Sequence, residues 1–271
     1  MAATLEQAGF ESLWCTDHII LPSVIESRYP FADDGVFPYA GDLPWFDAVV
    51  AMTAMASATS TVEIGSAVLV LPLRHPVIFA KQMASLDVLA GGRVALGVGA
   101  GWLAEEFEAL GVDHASRGGR LDEWVELLHR CWSGSPAAFE GAHYTLPAGF
   151  HCQPKPLRTP PILVGGMSKA AIRRAAANDG WLALQRFDQL DPLALAPHIT
   201  TMKELMAEAG RDPEDLRVTL RIIQSANHAD ALARVLGDFA SVGVDEVIID
   251  VDWRNGGENA SGDYERLRDA V

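Results

Sequence analysis

A chain of 271 residues, 49% of them hydrophobic, can bury the core of one large α/β domain or of two smaller ones, and no linker divides it. Its 36 acidic against 21 basic side chains give a formal charge of −15, which repels phosphate backbones and anionic bilayers and excludes nucleic acid and membrane as expected partners. Cys15, Cys131 and Cys152 form no CxxC pair and have no His-rich neighbourhood, so neither a disulfide framework nor a metal site is expected. With no apolar run of the roughly 18 to 20 residues that span a bilayer and no signal-peptide pattern, the expectation is a soluble cytoplasmic protein.

In chain order, Ala3 to Ala8 read as the end of a helix closed by Gly9, and Phe10 to Thr16 as a buried strand. Ile19 to Pro44 has no clear period and carries four prolines together with Tyr29, Phe31, Phe37 and Tyr39; loops of this length usually act as lids or are disordered. Trp45 to Ala58 is helical, and Val62 to Leu71 is the near-continuous apolar run of a strand buried on both faces. A helix from Pro76 to Leu89, the turn Gly91-Gly92 and the strand Arg93 to Val98 follow, then helices over Ala104 to Leu110 and Leu121 to Trp132. Ser133 to Pro160 is a second excursion, with a small hairpin expected around Phe139 to Tyr144. The rest alternates regularly: strand Pro161 to Val164, helix Lys169 to Asn178, strand Trp181 to Leu184, helix Pro192 to Ala209, strand Arg217 to Gln224, helix Ala229 to Val242, strand Glu246 to Val251, and a final helix after Gly262. This alternation, seven strands after a leading helix, fits an open doubly wound sheet or a closed (β/α)8 TIM barrel, and the leading helix favours a single barrel over 1–271 whose first strand is missing from the sequence.

In parallel α/β folds the chemistry gathers beyond the carboxyl ends of strands. Gly97-Val98-Gly99-Ala100-Gly101 lies at such an end, but lacks the third-glycine spacing of a dinucleotide fingerprint; it reads either as a tight turn or as backbone that approaches a flat ring. Trp102 after it either stacks on a planar ligand or staples the next helix. Gly165-Gly166-Met167 opens a helix, which suits a phosphate or simply a helix capped by Ser168. Asp17 and His18 end the first strand, where a polar pair points into the mouth; His18 is a candidate acid or base, or a structural histidine. His75 reads as a helix-start residue, and His129 as part of a solvated face. Glu105, Glu106 and Glu108 read as a solvated helix start, and Arg117, Arg120 and Glu123 as intrahelical pairing.

As a set, Gly9-Phe10-Glu11-Ser12-Leu13-Trp14 with Asp17-His18, Arg74-His75-Pro76, Gly91-Gly92-Arg93, Gly97 to Trp102 with Glu105-Glu106-Phe107, and Asp179-Gly180-Trp181 resemble the luciferase-like monooxygenase superfamily, in particular its coenzyme F420-dependent oxidoreductases. The resemblance implies a (β/α)8 barrel, often dimeric, that binds a deazaflavin or flavin at its carboxyl face. It places Asp17 and His18 near the ring, a backbone bulge at Ala67-Val68, often a non-proline cis peptide, under it, Gly99, Ala100, Gly101 and Trp102 beside it, and the cofactor phosphate on Gly165, Gly166 and Met167. Where sugar-phosphate dehydrogenases of the family carry a glutamate directly after the glycine turn, this chain has Trp102, which argues against that substrate. The expectation is hydride transfer between F420 and a small organic substrate held under the Ile19 to Pro44 loop, with a homodimer as the expected assembly. An FMN-dependent monooxygenase and a non-catalytic or truncated cofactor-binding paralogue are the alternatives.

Overall fold

The computed structural model describes residues 1–39, 41–252 and 259–268. Its elements are α1 (Ala2–Ala8), β1 (Ser12–Cys15), α2 (Ala48–Ala58), β2 (Glu63–Val70), α3 (Pro76–Leu89), β3 (Val94–Gly99), α4 (Ala104–Ala109), α5 (Arg117–Trp132), β4 (Phe139–Glu140), β5 (Thr145–Leu146), β6 (Ile162–Gly165), α6 (Lys169–Ala177), β7 (Gly180–Arg186), α7 (Ala196–Glu208), β8 (Arg217–Ile223), α8 (Ala229–Leu232), α9 (Leu236–Ser241), β9 (Glu246–Ile249) and α10 (Ala260–Arg268). Seven strands form one parallel sheet in the order β1-β2-β3-β6-β7-β8-β9, while β4 and β5 make the small antiparallel hairpin expected in the second excursion.

Local chemistry explains most boundaries. Gly9 closes α1 in the left-handed region, with φ 109°, and Pro76 opens α3 at a position where a missing N–H costs nothing. Helix α2 starts at Ala48 rather than at Trp45, because the Asp47 side chain accepts the Val50 N–H and caps it there. The stretch expected as one helix from Ala229 to Val242 is split into α8 and α9, as Val235 and Asp238 donate to carbonyls three residues back and break the ladder. The final helix begins at Ala260, before Gly262.

The sheet curls into a barrel that is nearly closed. Strand β3 is buried at all six positions, whereas β1 and β9, the two edges, are mostly half-exposed. Side chains bridge this seam at its N-terminal end: the Ser12 hydroxyl donates to Glu246, and Trp14 Nε1 lies 3.4 Å from the same carboxylate. Arg217 binds Glu246 at 2.7 Å and also Glu63, so an ion cluster joins the first residues of β2, β8 and β9. Above it a cleft of about 1640 Å³ runs between β1 and β9 toward Tyr39 and Trp45. Between Ser66 and Leu69 the register of β2 on β3 shifts, and the Ala67-Val68 peptide bond is cis.

Candidate active site

The Asp17-His18 pair divides at the strand end. Asp17 is 4% exposed; its two oxygens take the Arg74 guanidinium at 2.6 and 2.7 Å, and one of them also accepts the Val70 N–H at 2.9 Å. Burial by itself would lower the Arg74 pKa, but the contacts with Asp17 and Asp47 outweigh it and hold that pKa above its ordinary value. Asp17 therefore ties β1 to the exit of β2 rather than pointing into the mouth. His18 does reach the mouth, where its Nδ1 lies 3.0 Å from Glu106 Oε2.

Glu106 corrects the sequence reading. It is 1% exposed, and its Oε1 accepts the backbone N–H groups of Ile19 and Ile20 at 2.6 and 3.2 Å. Acceptor duty on both oxygens makes it the partner of a His18 Nδ1–H, which leaves Nε2 as the imidazole nitrogen available for chemistry. The signal was in the spacing: Leu103, three residues earlier, and Phe107 are both buried, so one face of α4 points inward and Glu106 shares it.

Glu105, one residue away, clasps the long loop through the amides of Glu26 and Ser27 at 2.6 and 2.8 Å and the Ser27 hydroxyl at 2.6 Å. Ser27 Oγ in turn accepts the Ala104 N–H at the start of α4. Desolvation pushes the Glu105 carboxyl up, yet these hydrogen bonds overcome it and hold the pKa down at about 2. Glu123 also departs from its expected intrahelical role, since it accepts the amides of Ala142, His143 and Tyr144 and braces the hairpin turn.

Held in this way, the loop lays its aromatic side chains over the site. Tyr29 packs on Trp102 with ring centroids 5.1 Å apart, and Phe37 packs on Trp102, His18 and Tyr39. Trp45 stands edge-on to His18 at 5.2 Å. Burial pushes the Tyr29 hydroxyl up to about 12, so it stays a neutral phenol across the physiological range.

Beside this aromatic wall the backbone is bare. A Cβ on Gly99 would come within 2.9 Å of Val68 Cγ2, and one on Gly165 within 2.9 Å of Val68 Cγ1, so only glycine lets β3 and β6 flank the Ala67-Val68 unit. Arg221 from β8 donates to the Ala67 carbonyl. Of the glycines from 97 to 101, only Gly101 needs positive φ, at 89°, and it turns the chain so that Trp102 meets the loop. At the end of β6, Gly166 has φ 111° and its carbonyl accepts Trp181 Nε1 at 2.8 Å, while Ser168 caps α6 by accepting the Ala171 N–H. Met167 is half-buried against the core. Thus Val68 packs between Gly99 and Gly165 at the carboxyl ends of the strands, His18 and Trp102 meet in the aromatic cluster with ring centroids 6.3 Å apart, and Asp17 is committed to Arg74 and Val70.

Bare backbone in this arrangement suits a flat ring, and the Ser168-capped helix start offers free amides to a phosphate. No group of three or more His, Cys, Asp or Glu side chains among the described residues is placed to hold a metal. No helix among them is long and apolar enough to cross a membrane.

Residues 1–268 match the family model described as luciferase-like monooxygenase. A protein of Mycobacterium tuberculosis with no assigned activity is 37% identical over 211 residues, covering 78% of this chain and 72% of its own length. The F420-dependent hydroxymycolic acid dehydrogenase of the same organism is 30% identical over 90% of this chain and 64% of its own. The FMNH2-dependent dimethylsulfone monooxygenase of Pseudomonas fluorescens is 36% identical over 47% of this chain and 35% of its own. Among solved structures, an F420-dependent secondary alcohol dehydrogenase in complex with an F420-acetone adduct superposes with a TM-score of 0.77 at 20% identity, covering 100% of this chain and 93% of that one.

Proposed function

The chain belongs to the luciferase-like monooxygenase family, and from that premise we propose that it is an oxidoreductase that transfers hydride between coenzyme F420 and a small organic substrate. The observation that carries this reading is the buried His18–Glu106 pair, a proton-handling group at the end of β1, in a barrel whose neighbouring strand ends pack glycine backbone against Val68 and so leave room for a flat ring. Ala67, Val68 and Gly99 to Trp102 would hold the ring, and Gly165 to Met167 with the Ser168-capped helix would hold the phosphate. When bound, the deazaflavin supplies a hydride donor or acceptor at C5.

The protein's own part is to position, shield and move a proton. The Ile19 to Pro44 loop, pinned by Glu105, closes apolar rings over the substrate and keeps water out. His18 Nε2 gives or takes the substrate proton, and Glu106 fixes the tautomer and balances the imidazolium that forms. F420 is favoured because the F420-dependent relative aligns with 90% of this chain, and the FMNH2-dependent one with 47%. The latter keeps an FMN-dependent monooxygenase as the second reading. A homodimer and a cytoplasmic location belong to the same proposal.

Equilibrium binding of F420 and, separately, FMN to the purified protein tests it. Saturable binding of F420 with at least tenfold preference over FMN is the expected result, and it should raise the melting temperature, since ligand at about 100 times Kd adds about 2.7 kcal/mol. Preference for FMN moves the protein to the monooxygenase reading, and binding of neither sinks both.

A further inference from the structure

Strand β8 holds a cation that the mechanism so far does not use. Its residues alternate, so that Val218, Leu220 and Ile222 are buried in the core while Arg217, Thr219 and Arg221 face the other way. Arg217 and Thr219 bind Glu246 at the amino end. Arg221, two residues further along, has a side chain only 14% exposed, and among the described residues its guanidinium makes a single hydrogen bond, to the Ala67 carbonyl. Asp250 stays 3.8 Å away, beyond hydrogen-bond distance, because its other oxygen accepts the Gln224 N–H at 2.7 Å and its own N–H is held by the Ser225 hydroxyl. Other half-buried arginines close their forks: Arg74 on Asp17, Arg174 on Asp122, and Arg217 on Glu63 and Glu246. Arg221 is thus a largely buried charge with an open fork, an arrangement that calls for an acceptor. It also lines the cleft of about 1640 Å³ between β1 and β9, together with Tyr39, Asp250 and the apolar Leu43, Met55 and Ile248. Burial and then Asp250 push the Tyr39 hydroxyl up while Arg221 draws it down, so both members of the loose pair are felt at that ring.

We propose that Arg221 is an anion subsite that takes the carboxylate of a small organic acid, with the apolar part of the acid lying in the cleft between β1 and β9. The guanidinium is planar, and its parallel N–H groups match the two oxygens of a carboxylate. The Ala67 carbonyl holds one arm of the group, so the fork is oriented before a ligand arrives. Asp250 balances the charge from a distance without occupying the donors. Leu43, Met55 and Ile248 offer the rest of the acid apolar contacts. Because Arg221 is bonded to the Ala67-Val68 unit, the subsite makes an organic acid the substrate class of the enzyme, a step that rests on the oxidoreductase reading above.

Isothermal titration of cyclohexanecarboxylate into the purified protein, first without F420, tests the subsite against cyclohexanecarboxamide, which has the same shape and no charge. The acid should bind saturably and at least about tenfold tighter than the amide. Asp250→Asn should tighten binding of the acid by about threefold, because the amide oxygen still accepts the Gln224 N–H while the competing negative charge is gone. Arg221→Met should weaken it by at least about tenfold. Equal affinity for acid and amide, no binding of the acid, or binding that Asp250→Asn leaves unmoved overturns the subsite, and none of these outcomes requires Arg221→Met to fold. Repeating the titration at saturating F420 decides the substrate class: undiminished affinity for the acid supports it, and displacement of the acid by F420 overturns it, since the subsite then takes the carboxylates of the cofactor itself. The titration without F420 stands apart from the F420 binding measurement, so failure of the subsite and failure of the cofactor reading are told apart.

Discussion

At the scale of single residues, two adjacent positions at the end of β1 carry different duties. Asp17 is an anchor: Asp17→Asn should destabilise the protein by about 3 kcal/mol in urea denaturation, because it strands the Arg74 guanidinium, whose side chain is only 12% exposed, with only Asp47 at 3.5 Å. Glu106 holds the other end of the pair, joining His18 to the amides of Ile19 and Ile20. If the proposed mechanism holds, Glu106→Gln should lower kcat by about 10²-fold with F420 affinity unchanged, since it reverses the hydrogen bond to His18 Nδ1. His18 and Trp102 stand out in the sequence because glycine turns and strand ends advertise themselves, and the structure brings the two rings to 6.3 Å of each other. Glu106 was not, because a glutamate in the first turn of a helix has the same local signature whether it serves the dipole or faces inward. Trp45 was read as part of α2, and only the capping choice of Asp47 shows that it is free to reach His18.

At the scale of elements, α4 governs the loop through Glu105. The folded value of about 2 lies below the ordinary value of 4.5, so the stability that this clasp contributes is fully present above pH 4.5 and is lost as pH falls through 2. Tryptophan fluorescence of wild type should therefore report loosening of the aromatic wall across this acid range, and Glu105→Gln should flatten that transition and show the loosened signal already at neutral pH. A glycine makes the counterpart test at the other end of the turn. Gly101→Ala forces φ 89° on a residue with a Cβ and drives it to 2.6 Å from Phe107 Cε2 and 2.7 Å from Val70 Cγ1, for an expected loss of about 2–3 kcal/mol by denaturation. The central strands were legible because runs such as Val62 to Leu71 have one reading in a parallel sheet. The break between α8 and α9 was not, since Ala229 to Val242 holds no proline and its one signal, Gly237-Asp238, is also tolerated within a helix.

At the scale of the whole molecule, the two ends of the barrel do separate work. The carboxyl end carries His18 and Val68 between Gly99 and Gly165, and the amino end carries the Arg217–Glu63–Glu246 cluster, in which ion pairing overcomes burial and holds the Arg217 pKa well above its ordinary value. Arg217→Met should cost about 1–3 kcal/mol in denaturation, discounted for the partial exposure of all three groups, and leave F420 affinity unchanged. The alternation of strands and helices left an open sheet and a barrel both standing until the leading helix and the family resemblance favoured the barrel, and the way the seam is bridged depends on Ser12, Trp14 and Glu246, residues 232 to 234 positions apart that no local pattern couples. That seam also sets how the native state opens. Strand β3 lies inside the sheet with every residue buried, while β9 has none fully buried and, among the described residues, no strand on its outer side. Amide protons will exchange with solvent first in β1 and β9 and last in β3 and β6, so that the molecule unzips from both edges toward the strands that carry Gly99 and Gly165.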